Sequence, residues 1–170
     1  MSYHQHIINE LDLNRKVYEG LLQDVPKEMI SWKDDPKRWT LLEIVCHLHD
    51  EEKEDFRARL RSVIVDPTKA LTAIDPQGWV KNRDYASQDY DLMLFKFLKQ
   101  RKISIEWLNS LKDPKWKNFI VHKSLGEMSA ELFLSNWLAH DHLHFRQIIK
   151  LKFDYLTHLS DQDLSYAGDW

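Results

Sequence analysis

The sequence predicts an all-α protein, a four-helix bundle with one long connection between its second and third helices. Three observations lead there. Four runs of about 21 to 25 residues repeat apolar side chains at helical spacing. Only four glycines occur in 170 residues, where average usage would give about twelve, and tight β-hairpins and phosphate-cradling loops both consume glycine. Hydrophobic residues at 43% and charged residues at 30% belong to a folded chain, and the length suits one domain over residues 1–170.

The first helix is expected over about residues 3–23, with Ser2 as N-cap and a stripe of Ile7, Ile8, Leu11, Tyr18, Leu21 and Leu22. Residues 25–38, with Pro26 and Pro36, read as a loop that Trp32 plugs onto the bundle. The second helix is expected over about 40–63. Thr40 and Glu43 form a capping box, and Trp39 precedes it where a staple would sit. Its apolar face carries Leu41, Ile44, Val45, Leu48, Phe56, Leu60 and Val63. The connection over 66–88 is long for a compact domain, and long ordered loops tend to cover sites.

A third helix is expected over about 89–111, with Leu94, Leu98, Ile105 and Leu108 on one face. Arg101 falls among them. Its long stem favours snorkelling to the surface, although pairing with an acid of the second helix or receiving an anionic substrate are alternatives. The stretch to Met128 reads as loop or short extended pairing. The fourth helix is expected over about 129–153, capped by Ser129, and the remaining residues read as a tail packed by Tyr166 and Trp170.

Charge and composition narrow the function. A net charge of -3 gives no electrostatic reason to bind nucleic acid. No run of about 18 apolar residues is present, so no membrane span is expected. The N-terminus lacks the pattern of a signal peptide. Cys46 is the only cysteine, which excludes an internal disulfide and fits a cytoplasmic setting. It reads as a small buried side chain before it reads as a nucleophile.

The fourth helix places Phe133, Trp137, His140, His144, Gln147 and Leu151 along one seam. Two of these positions, where apolar residues belong, are histidines. Four residues apart, His140 and His144 share a helix face and can bind one metal ion, or form a satisfied polar pair in the core. A third ligand must come from another helix. His47 lies one turn after Ile44 beside the apolar face, whereas His49 is turned about 200° from it, so His47 is the better candidate. Three neutral imidazoles leave positions open for water or substrate. Asp50 and Glu51, one turn beyond His47, are candidates to orient a ligand, supply a fourth one or accept a proton. The run Asp50-Glu51-Glu52-Lys53-Glu54-Asp55 otherwise reads as a solvated face. Asp141 and His142 leave the seam, and both read as outer residues of the site or as surface. His140-Asp141-His142-Leu143-His144 imitates the zinc-protease motif with Asp in place of Glu, and an Asp there falls short of the metal-bound water.

Taken together, Trp39-Thr40-Leu41-Leu42-Glu43-Ile44-Val45-Cys46-His47-Leu48 and His140-Asp141-His142-Leu143-His144-Phe145-Arg146-Gln147-Ile148 resemble the DinB-like superfamily of metal-dependent enzymes. These are the places where that family carries its single and its paired histidine, and the match in helix order covers about residues 3–153. The resemblance implies a four-helix bundle, often a homodimer, holding a divalent transition metal through His47, His140 and His144. Similar proteins include bacillithiol transferases and a mycothiol-dependent maleylpyruvate isomerase. It therefore implies a metal-dependent enzyme that acts on a small-molecule substrate by activating a thiol or water at the three-histidine site: a transferase or related enzyme with a low-molecular-weight thiol as cosubstrate, or a hydrolase. Zinc or nickel is the leading expectation among the metals three imidazoles suit. Glu51 or Asp50 would accept the proton. The alternatives are a non-catalytic metal-binding or stress-response module, and a dimerising bundle without metal.

Overall fold

Each long helix begins where the sequence supplies a side-chain cap. Ser2 accepts from the Gln5 amide, Asp89 from Leu92 and Ser129 from Leu132. Thr40 and Glu43 close both halves of the capping box, at 3.2 and 2.7 Å. The computed structural model describes residues 1–160 and 162–168. Its helices are α1 (Tyr3–Leu22), the short α2 (Lys27–Ile30), α3 (Leu41–Asp50), α4 (Arg57–Val65), the short α5 (Pro76–Asn82), α6 (Tyr90–Ser110) and α7 (Ala130–Leu159). A π-helical segment, Glu51–Phe56, joins α3 to α4 as one rod. Strands β1 (Phe119–His122) and β2 (Gly126–Ser129) form an antiparallel hairpin before α7. No helix among the described residues is long and apolar enough to cross a membrane.

The four rods make the expected bundle. Helix α1 packs mainly on α6 and α7, and the α3–α4 rod packs on the same two. The first and second rods therefore stand across one diagonal and α6 and α7 across the other, while the second rod and α6, also consecutive, are neighbours. Substituting Thr40→Ala removes a cap from the helix that carries His47. We expect it to cost about 1–2 kcal/mol, read as a lower urea midpoint with an unchanged slope.

The apolar interior has two parts. One gathers Tyr18 and Leu22, the residues of α3, the first half of α6, and Ile148, Leu151 and Tyr155 of α7. The other gathers Ile7, Ile8 and Leu11, then Phe56, Leu60 and Val63, Ile105 and Leu108, and the first turns of α7. Between them lies a buried polar belt with one group from each rod: Asn14, Glu52, Arg101 and Asp141. Arg101 is 1% exposed and does not snorkel. Its guanidinium binds Asp141 through two bonds of 2.7 Å and Glu52 at 2.8 Å. Asn14 and Tyr18 also donate to Asp141, and the Trp137 indole donates to Glu52. Asp141 is thus a core residue, because only the belt offers its carboxylate enough donors to replace water.

Other expectations change in detail. The acidic run is not a uniformly solvated face: Asp50, Glu51 and Glu52 are buried, and Lys53 is exposed. The fourth helix continues to Leu159. Tyr166 is exposed and packs no tail, and Trp170 lies outside the described residues. The long connection contains α5, begun by Asp75, which caps the Gly78 amide, with Pro76 as first residue. Trp79 and Tyr85 enter the core from it.

Candidate metal centre

His47 stands near the end of α3, and His140 and His144 lie one turn apart near the middle of α7. The bundle brings one nitrogen of each imidazole to within 4.8 Å of the others. The Nε2 atom of His140 is 3.0 Å from that of His144 and 3.4 Å from that of His47. A single ring nitrogen carries either one proton or one lone pair, so it cannot make a full hydrogen bond to both neighbours. Nitrogens bound tetrahedrally to zinc at about 2.0–2.1 Å lie about 3.3 Å apart. The spacing and the donor set therefore fit a divalent ion.

The rings are held from behind. Trp39 packs on His47 with centroids 4.7 Å apart, and Phe56 lies 4.9 Å from His140. Burial is the first cause that lowers all three imidazole pKa values. Like charges on neighbouring rings add to it for His47 and His140, whereas Gln147 and Asp141 work the other way at His144. The values fall to about 3 for His47, about 2 for His140 and about 4 for His144. All three are neutral near pH 7, the form a metal ion requires. The buried Nδ1 atoms of His47 and His144 have no hydrogen-bond partner among the described residues.

His49 takes no part in the cluster; its Nδ1 lies 2.9 Å from Asp50. His142 is exposed. Asp50 also accepts from Tyr85 at 2.7 Å and pairs with Arg83 at 2.7 Å. Burial opposes its charge, but the bonds from His49, Tyr85 and Arg83 hold the carboxyl below its ordinary pKa. It fastens the 66–88 connection to α3. Glu51 lies behind His47, its Oε1 4.0 Å from Nδ1. Burial, reinforced by Asp55, pushes the Glu51 pKa well up. Cys46 is fully buried and pushed up to about 12, first by burial and then by Asp50 and Glu43, which fits the small core side chain.

The histidines open onto a cleft of about 770 Å³ between α7 and the segment before α3. Neither Asp50 nor Glu51 lines it. From the 66–88 connection only Gln77 reaches the lining, so the connection borders the site and does not cover it. Gln147, the seam residue after His144, does line it. Sequence reasoning did not find Lys37 or Gln77, whose place depends on how the loops return to the bundle.

A model of the DinB superfamily matches residues 10–148. The chain belongs to the DinB superfamily. Among solved structures, this DinB protein is similar to YfiT from Bacillus subtilis, at a TM-score of 0.79 and 18% identity over 91% of this chain and 90% of that one. YfiT is described as a probable metal-dependent hydrolase with an unusual four-helix bundle topology. At that identity the likeness establishes the shared fold. No curated protein matches the DinB chain in sequence.

Proposed function

We propose that His47, His140 and His144 hold one divalent transition metal, zinc or nickel foremost, and that the protein is a metal-dependent enzyme acting on a small molecule. One observation carries the reading: three neutral imidazoles aim Nε2 atoms 3.0 and 3.4 Å apart at a single point on the wall of an open cleft. A structural site would be closed by a fourth protein ligand, and no carboxylate or thiolate joins this cluster among the described residues. In that position the ion supplies Lewis acidity to a water, as in a hydrolase, or to a low-molecular-weight thiol, as in the transferases the family resemblance suggests.

The protein's own residues set the geometry. Trp39 and Phe56 fix the rings, and neutral imidazoles present lone pairs at no cost in protons. Glu51, behind His47 and outside the cleft, is a positioning residue for that ring in this reading. Asp50, already engaged by Tyr85, Arg83 and His49, holds the helix that carries the ligand.

Elemental analysis of untagged protein beside His140→Ala tests the site. We expect about one equivalent of metal in the parent and under about a tenth in the variant, with unchanged helical circular dichroism. Absence of metal from both after incubation with zinc and with nickel would overturn the reading. Conjugation of a thiol to a model electrophile, set against hydrolysis of a model ester, then distinguishes the two nucleophiles.

A further inference from the structure

The cleft above the three histidines is charged against the sign of the whole molecule. The chain carries a net charge of -3. Yet the lining includes Lys33, Lys37, Arg38, Arg146 and Lys150. The acids in it are Asp34 and Asp154. Both are already engaged: Arg38 lies 3.0 Å from each, and Lys150 also pairs with Asp154. Lys33 is 3.4 Å from Glu43 of the capping box. That leaves Lys37 and Arg146, both exposed at the cleft, with no ion-pair partner among the described residues.

We propose that this cleft binds a small anion, a carboxylate or a phosphate, whose charged end is held by Lys37 and Arg146 while its remainder extends toward the histidines. The inference rests on reading the histidines as the reactive end of the cleft. Low-dielectric walls focus the field of the uncompensated cations and raise the local concentration of an anionic ligand. Arg146 offers a planar fork suited to a carboxylate or phosphate, and Lys37 a mobile point charge. Trp39, Leu143 and Leu151 add apolar surface for the body of the ligand. The volume fits a small molecule. A nucleic acid needs a basic track continuing beyond one cleft, which the net negative chain does not favour.

Calorimetric titration of the zinc-loaded protein tests this. Succinate is compared with its neutral counterpart succinamide, and glycerol 3-phosphate with glycerol, which separates carboxylate from phosphate. At least one anion is expected to bind about tenfold or more tightly than its neutral counterpart, with a preference that shrinks as salt is added. In the double variant Lys37→Gln, Arg146→Gln that affinity falls about tenfold, while zinc stoichiometry stays as in the parent. Both positions are exposed, so the fold is preserved. Equal binding of anions and neutral counterparts overturns the proposal. So does an anion affinity that survives in the double variant, because the metal alone would then hold the ligand. The same titrations on metal-free protein and on His140→Ala separate the two readings. Zinc binding without anion preference refutes the anion site alone. A preference that depends on Lys37 and Arg146 in a protein that takes up no zinc refutes the metal centre alone.

Discussion

Arg101→Leu is expected to lose about 3–5 kcal/mol of stability, enough to leave much of a marginally stable chain unfolded. Arg101 carries the only positive charge in the buried belt, between two carboxylates. Burial works against its charge, but Asp141 and Glu52 outweigh that and hold its pKa above the ordinary value. Leucine would fill part of the space and leave Glu52 and Asp141 buried without their counterion, and uncompensated charge is the costly part. The Leu11 carbonyl would also lose a donor at 3.3 Å. Arg101→Lys restores charge but not the fork, so it should fall between the two. Adding Glu52→Gln and Asp141→Asn to Arg101→Leu should recover part of the loss, because the stranded charges disappear. Urea unfolding at neutral pH reads all of these. An Arg101→Leu midpoint equal to that of the parent would sink the argument.

The metal-free protein should weaken steeply as the solution is acidified from about pH 6.5. An unfolded histidine titrates near 6.5, whereas His47, His140 and His144 are depressed to about 3, 2 and 4 in the fold. Below 6.5 the unfolded chain takes up protons that the folded chain refuses. The stability present above 6.5 is therefore lost as pH falls toward the folded values. Each fully charged unfolded imidazole contributes about 1.4 kcal/mol per pH unit, so three give a slope approaching about 4 kcal/mol per unit near pH 5. The variant with His47, His140 and His144 all replaced by glutamine cancels that contribution and leaves the slope set by the carboxylates. Urea midpoints of both proteins between pH 5 and 8 decide it. Parallel curves would show that the three rings do not titrate as their burial requires.

Much of the bundle is legible from local chemistry. Ser2, Thr40 with Glu43, and Ser129 start helices because a side-chain oxygen beside the first turn is a short-range signal. The seam of α7 displays His140 and His144 on a face otherwise built from Phe133, Trp137 and Leu151, so the pair stands out against its periodicity. The preference for His47 over His49 follows from rotation about one helix. What escapes is what depends on partners far away in sequence. Arg101 at an inward position is itself the clue to the belt, but only the packed bundle brings Glu52 and Asp141 to it. The acidic run after His49 reads as solvated because nothing local says that Tyr85 and Arg83 will reach back to Asp50. The Asp75–Pro76 start of α5 is a recognisable helix opening inside what otherwise reads as a loop.

The π-helical turn at Glu51–Phe56 has a consequence for how the rod addresses His140. His47 and Phe56 are nine residues apart, and at about 100° per residue an unbroken α-helix would aim them about 180° from each other. Both nevertheless touch the His140 ring. A turn closed by i→i+5 bonds takes up one residue more than an α-turn. That brings the angle down to about 80°, which puts the two side chains on neighbouring faces. The wide turn works as an angular adjustment between two halves of one rod, one half set by the imidazoles and the other by the lower core. Excising the exposed Lys53 would let the turn close as ordinary α-helix with His47 and Phe56 eight residues apart, still about 80° from each other, so Phe56, Leu60 and Val63 would keep the partners they now meet. Tightening the turn with every residue kept would instead swing them about 100° away.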